Sequence, residues 1–125
     1  MEIFCPWEAS TYLFFSSNVP ELIHYSHGVA TFSSLAIGLL IFISNPKNNV
    51  SKLFLLFNSL FISWATLDVI LWATNNPSTV MFAWSMQVLL EPLTYATAFF
   101  LFYYYLNSTW PTARLQSIVL LVLLP

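Results

Sequence analysis

Three long apolar runs and a shorter fourth, parted by three short polar gaps, take up the chain from Pro20 to Pro125. That pattern leaves few ways to fold, because a run of about 18 or more apolar residues buries best as a helix across a lipid bilayer. Charge usage points the same way. Only 6% of residues are charged and 58% are hydrophobic, whereas soluble domains carry about a quarter charged residues on their surfaces. The expected fold is therefore all-α: an integral membrane helical bundle with three complete transmembrane helices and a fourth that is incomplete.

Turn chemistry sets the expected boundaries. Residues 1–19 mix Glu2, Glu8, Ser10 and Thr11 with a short aromatic patch and form an N-terminal segment too polar to cross. Asn18 is a candidate cap for a first span over about 20–43, with Pro20 and Glu21 in its opening turn, where proline loses no hydrogen bond and an acid meets the positive helix end. The multi-pass region then continues with spans at about 53–74 and 80–106, and with 115–125, only about half the length a crossing requires. A helix that stopped inside hydrocarbon would leave carbonyls without partners, so the chain is expected to break off within its fourth crossing. Met1 is followed by Glu2, Pro6 and Glu8 rather than by a basic stretch, so no cleavable signal peptide is expected. Cys5 is the only cysteine, which rules out a disulfide within the chain.

All three basic residues fall in gaps on one side of this arrangement. Lys47 and Lys52 flank the first gap and Arg114 follows the third. Because cytoplasmic loops carry the Lys/Arg excess, these topology determinants put the N-terminus and residues 1–19 outside the cell. Three cations are too few for a nucleic-acid footprint, and no nucleic-acid partner is expected. The bilayer itself is the first partner.

Polar residues inside the spans are the candidate sites. Ser26, Ala30, Ser34 and Gly38 recur every fourth residue and form a ridge suited to close helix packing, either within the bundle or in a homodimer. His24 and His27 lie near the outer end of the same span, one helical face apart from Glu21, which is about 120° away from His27. Asp68 on the second span and Glu91 near the middle of the third are ionisable groups where lipid would make them costly, so they belong in the bundle interior or a wet cavity. Pro92 follows Glu91 and deprives the Val88 carbonyl of its helical donor, which predicts a kink beside the acid. If their helices are neighbours, Asp68, Glu91 and His27 share one cavity as a ligand or proton site. No metal set and no cofactor is expected.

One further pattern has a family resemblance. The basic gap leads into Lys52-Leu53-Phe54-Leu55-Leu56-Phe57-Asn58, the second span holds Trp64 and Trp72, and the long third span has Pro92 at mid-helix and an aromatic exit. In hydropathy order and tryptophan placement this resembles the first half of the N-terminal seven-helix membrane region of bacterial sensor histidine kinases. The resemblance implies a bacterial cytoplasmic membrane, an input region that is not catalytic itself, and downstream cytoplasmic PAS or kinase modules. It carries over no functional residue, since Trp64 and Pro92 match as structural positions.

The expected function is thus the membrane-embedded sensory region of a two-component signal-transduction protein, and not an enzyme. Two other classes stay open on the sequence. A fragment of a secondary transporter or channel would use Glu91 and Asp68 for proton or ion coupling, and a membrane-embedded enzyme would take His24, His27 and Asp68 as metal ligands.

Overall fold

The structure, a computed structural model, describes residues 13–17 and 19–123. Glu2, Cys5, Glu8 and the Asn18 expected as a cap lie outside the described residues, as do the last two positions, Leu124 and Pro125. Among the described residues the chain forms four helices: α1 (Glu21–Ser44), α2 (Asn49–Ala73), α3 (Pro77–Asn107) and α4 (Ala113–Leu123).

Local chemistry explains each boundary. Pro20 occupies the N-cap of α1 with extended backbone, and Glu21 opens the helix, so proline sits one residue outside the turn expected for it. At the other end the Asn45 N–H donates to the Ile41 carbonyl before Pro46 diverts the chain. Asn48 caps α2 by accepting from the Val50 amide at 2.9 Å, which starts the helix at Asn49, four residues ahead of the expected apolar onset at Leu53. Lys52 therefore lies in the first turns of α2 rather than in a loop. Asn76 accepts from both the Ser78 and Thr79 amides, with Pro77 at the first helical position, where its missing N–H costs nothing. Ser108 ends α3 in the left-handed region (φ 55°), its N–H donating to the Tyr104 carbonyl at 2.8 Å.

Two helices, α1 and α2, are long and apolar enough to cross a membrane. Helix α3 is longer than either, but Ser, Thr, Gln, Glu, Pro, Trp and Tyr dilute its apolar content, so the third complete span expected from its length is not among them. Helix α4 is too short, as its run of residues implies. Pro92 lies within α3, yet the helix runs through it without a break.

The helices lie side by side in the order α1, α2, α3, α4: α2 packs on α1 and α3, and α4 meets only α3. What they bury is small. Ala65, Ala73, Ala83 and Ala96 are almost wholly enclosed, together with Ser51, Asn58 and Thr97, while Leu22, Phe32, Leu106 and Leu121 are more than 70% exposed. A soluble domain inverts this distribution. Small residues at the contacts let backbones approach closely, and the large apolar side chains face outward, where an apolar cover must meet them. Only 6% of the most apolar stretch of α1 and 17% of that of α2 is buried within the molecule, so neither is the enclosed core helix of a water-soluble fold.

The small-residue ridge on α1 turns toward α2. Gly38 is buried, and a Cβ there would stand 3.3 Å from the Cβ of Asn58. Ala30 shares a small cavity with Phe61 and Ala65. The Ala30-to-Gly38 part of the ridge thus packs inside the chain, while Ser26 at its other end is exposed. At one end of the layer the Asn49 amide donates to the Tyr104 hydroxyl at 3.1 Å. That contact joins the start of α2, beside Lys47 and Lys52, to the end of α3 that precedes Arg114, so all three cations gather at the same end of the helices.

Candidate functional site

Most polar side chains in the helices bond to their own backbone. The hydroxyls of Ser44, Ser59, Ser63, Thr66, Ser85, Thr94 and Thr97 all donate to the carbonyl four residues earlier. The Asn58 amide does the same toward Phe54, at 2.7 Å. Such bonds satisfy a group without tying one helix to the next. Among the described residues, apart from the Asn49–Tyr104 bond, the hydrogen bonds and ion pair between side chains of different helices converge on Asp68.

Asp68 stands on the central helix and is held from both sides. Its Oδ2 lies 2.9 Å from the His27 Nε2 on α1, each side chain about a quarter exposed. Its Oδ1 accepts from the Gln87 Nε2 on α3 at 3.4 Å, a longer and weaker contact. One carboxylate therefore links three helices. Rise per residue puts Asp68 and His27 each roughly 8–9 Å in from the helix ends opposite the cations, which is why two residues 41 positions apart meet at one level.

His27 is itself anchored to α1. Its Nδ1 lies 3.1 Å from the Ile23 carbonyl and 3.2 Å from the Ser26 hydroxyl, and that hydroxyl also reaches the Ile23 carbonyl at 3.1 Å. Both ring nitrogens thus face acceptors. A ring with hydrogens on both satisfies the carbonyl and the carboxylate together; with one hydrogen fewer, either the Ser26 hydroxyl must turn toward Nδ1 or Asp68 must carry the proton. Moving a proton between His27 and Asp68, or onto and off the pair, consequently re-sorts hydrogen bonds on two helices.

A groove of about 400 Å³ opens beside this pair, lined by Phe15, His24, His27, Gly28, Ala65 and Thr66 among others. Phe15, in the part of the N-terminal segment that is described, packs its ring 5.6 Å from that of His24. His24 accordingly joins the wall of the groove and not the Asp68 cluster. The three residues weighed as metal ligands do not converge, and no group of three or more His, Cys, Asp or Glu among the described residues is placed to hold a metal ion.

Glu91 does not share the cavity expected for it. It is exposed, and its Oε1 accepts from the Tyr95 hydroxyl on its own helix at 3.3 Å. The reason is rotation: residues at every fourth position of a straight helix turn about 40° per step, so the row Ala83, Gln87, Glu91, Tyr95 leaves the α2 interface as it descends. Ala83 is buried, Gln87 half-buried, and Glu91 and Tyr95 are out. The acid instead lines a second groove with Phe57, Phe61 and Trp64. Gln87 is the site residue that sequence reading does not single out. Nothing in its neighbours along the chain marks the partner it finds on α2.

No family model, curated protein or solved structure matches the chain.

Proposed function

We propose that this chain is the membrane-embedded input region of a signal-transduction protein of the sensor histidine kinase type, with Asp68 as the point where a stimulus is converted into helix movement. The observation that carries the reading is the three-helix bridge. Because His27 and Gln87 reach Asp68 from opposite neighbours, whatever changes the charge or occupancy at His27 changes what holds α1 and α3 against α2. The groove beside His27 provides access for that stimulus. Helix shifts of about 1–2 Å between packed arrangements are a common output of such a change.

In this reading α1, α2 and α3 cross the cytoplasmic membrane of a bacterium, α4 begins a fourth crossing, and the end with Lys47, Lys52 and Arg114 is cytoplasmic. PAS or kinase modules on that side receive the movement, and a homodimer would form on surfaces other than the α1 ridge. Transport coupled through Asp68 and Glu91 is the weaker reading, since Asp68 is engaged by His27 and does not line the groove that Glu91 faces.

Sidedness has a direct check. With Cys5 replaced by serine, a cysteine at Pro46 is expected to react with an impermeant maleimide only in inside-out vesicles, and one at Ser78 only in right-side-out cells. The opposite pattern would overturn the orientation. The sensory claim is tested by spin-label distances between Ser33→Cys on α1 and Ser85→Cys on α3, both exposed positions. Asp68→Asn is expected to displace the mean distance by about 2 Å in nanodiscs. Superimposable distributions for the wild type, Asp68→Asn and Asp68→Ala would mean that the bridge does not govern helix position.

A further inference from the structure

The second groove, between α2 and α3, has a chemistry of its own. Its volume is about 390 Å³, within the range of small-molecule sites. Helix α2 contributes Phe57, Phe61 and Trp64, with the Phe61 and Trp64 rings stacked at 6.4 Å and 21°. Helix α3 contributes Glu91 and Tyr95. Thr94 also lines it, but its hydroxyl is already donated to the Leu90 carbonyl at 2.7 Å and leaves mainly a methyl group to the wall.

Glu91 is the anomaly in this apolar setting. Tyr95 donates to Oε1 and orients the carboxylate, which leaves Oε2 for a further donor. Among the described residues no ion pair engages Glu91. Lys47, Lys52 and the approach to Arg114 gather at the far end of the helices, while Glu91 stands at the middle of α3. A carboxylate displayed on an apolar helix surface is unfavourable unless something neutralises it.

We propose that this groove binds an organic cation: a protonated amine or quaternary ammonium carried on an apolar body. Such a ligand uses everything the groove presents, because its charge meets Glu91 while the adjoining rings attract it by cation–π interaction and cover its apolar part. A divalent metal ion fits poorly, since calcium or magnesium takes six or more oxygen ligands and the groove offers one carboxylate and one phenol. Asp68 does not line this groove, although Phe61 and Trp64 also border a small cavity beside His27; the site requires only that α2 and α3 pack as observed, so a failure of the sensory reading leaves it standing.

The test is equilibrium dialysis of radiolabelled benzyltriethylammonium against the chain in nanodiscs, with empty nanodiscs subtracted. Saturable binding at one site per chain is expected. Benzyltrimethylammonium should displace the probe, and neopentylbenzene, its uncharged isostere, should not. Glu91→Gln and Trp64→Leu are each expected to weaken binding about tenfold, whereas Glu21→Gln, which removes an exposed acid at the start of α1, should leave it within about twofold. Absence of binding above empty nanodiscs, equal displacement by the uncharged isostere, or unchanged affinity in Glu91→Gln would each overturn the proposal. So would a change of oligomeric state in Glu91→Gln, since the groove would then be holding a second copy of the chain. The comparison of charged and uncharged competitors is made on the unaltered chain and decides the matter even if a variant fails to fold.

Discussion

Replacing Asp68 by alanine is expected to cost the helix bundle about 2–3 kcal/mol, the largest loss expected of any single polar substitution among the described residues. The His27–Asp68 contact is short and each side chain is only about a quarter exposed. Its removal strands the His27 ring and the Gln87 amide at one stroke. Breaking a fully buried pair costs about 3–5 kcal/mol, whereas hydrogen bonds between membrane helices average about 0.6 kcal/mol, and a partly exposed pair with a third partner belongs between those limits. Asp68→Asn should lose less by about 0.5 kcal/mol, since its carbonyl still accepts from Gln87. A double-mutant cycle of Asp68→Ala with His27→Ala, followed by reversible unfolding in mixed micelles, should return a coupling energy of about 1–2 kcal/mol, and the cycle with Gln87→Ala about 0.5 kcal/mol or less, given its 3.4 Å contact. Zero coupling in the first cycle would remove the bridge as a structural link.

The second large effect is expected at Gly38. Alanine there is a close balance: a Cβ gains about 1 kcal/mol of helix propensity over glycine, but it would stand 3.3–3.4 Å from the side chain of Asn58. Asn58 has little room to yield, because it is 5% exposed and its amide is bonded to the Phe54 carbonyl at 2.7 Å. Leucine adds three more carbons in the same place, and overpacking of that kind costs about 1–3 kcal/mol. Gly38→Leu should therefore destabilise the chain by about 2 kcal/mol. It should also wedge α1 from α2 and loosen the His27–Asp68 pair three turns away. Adding Asn58→Ala to Gly38→Leu is expected to restore about half of the loss by making space. Full wild-type stability in Gly38→Leu would show that α1 and α2 do not approach as closely as the buried glycine implies.

These two positions also mark the limit of what can be read from the residues alone. Helix boundaries were legible to within a few residues because they depend on neighbours in sequence: Asn76 and Pro77 start α3 by local hydrogen bonding and a preset φ, and Asn48 starts α2. The Ser26-to-Gly38 ridge was legible as a packing surface, but not its partner Asn58. His27 and Asp68 were legible as candidates at compatible depth. Their meeting was legible only on the condition that their helices are neighbours, which the sequence does not decide, and Gln87 has no distinguishing mark until a neighbour arrives. Glu91 was misplaced for a related reason. Depth along α3 follows from counting residues, whereas the 40° drift of its row decides whether the acid faces a neighbour or the outside.

By itself, then, the sequence determined helices throughout the described residues, their ends to within a few residues, and the gathering of Lys47, Lys52 and Arg114 at one end of them. Each of these follows from local backbone chemistry or from counting residues at 1.5 Å apiece. Only the tertiary structure decided that Asp68 joins three helices, that His24 lines a groove beside it, and that Glu91 stands apart against Trp64. The physical reason lies in the helices' outer surfaces. A helix that is apolar nearly all round carries no amphipathic stripe to set its rotation, so its rotation is set by where small residues such as Gly38, Ala65 and Ala83 allow the backbones to close.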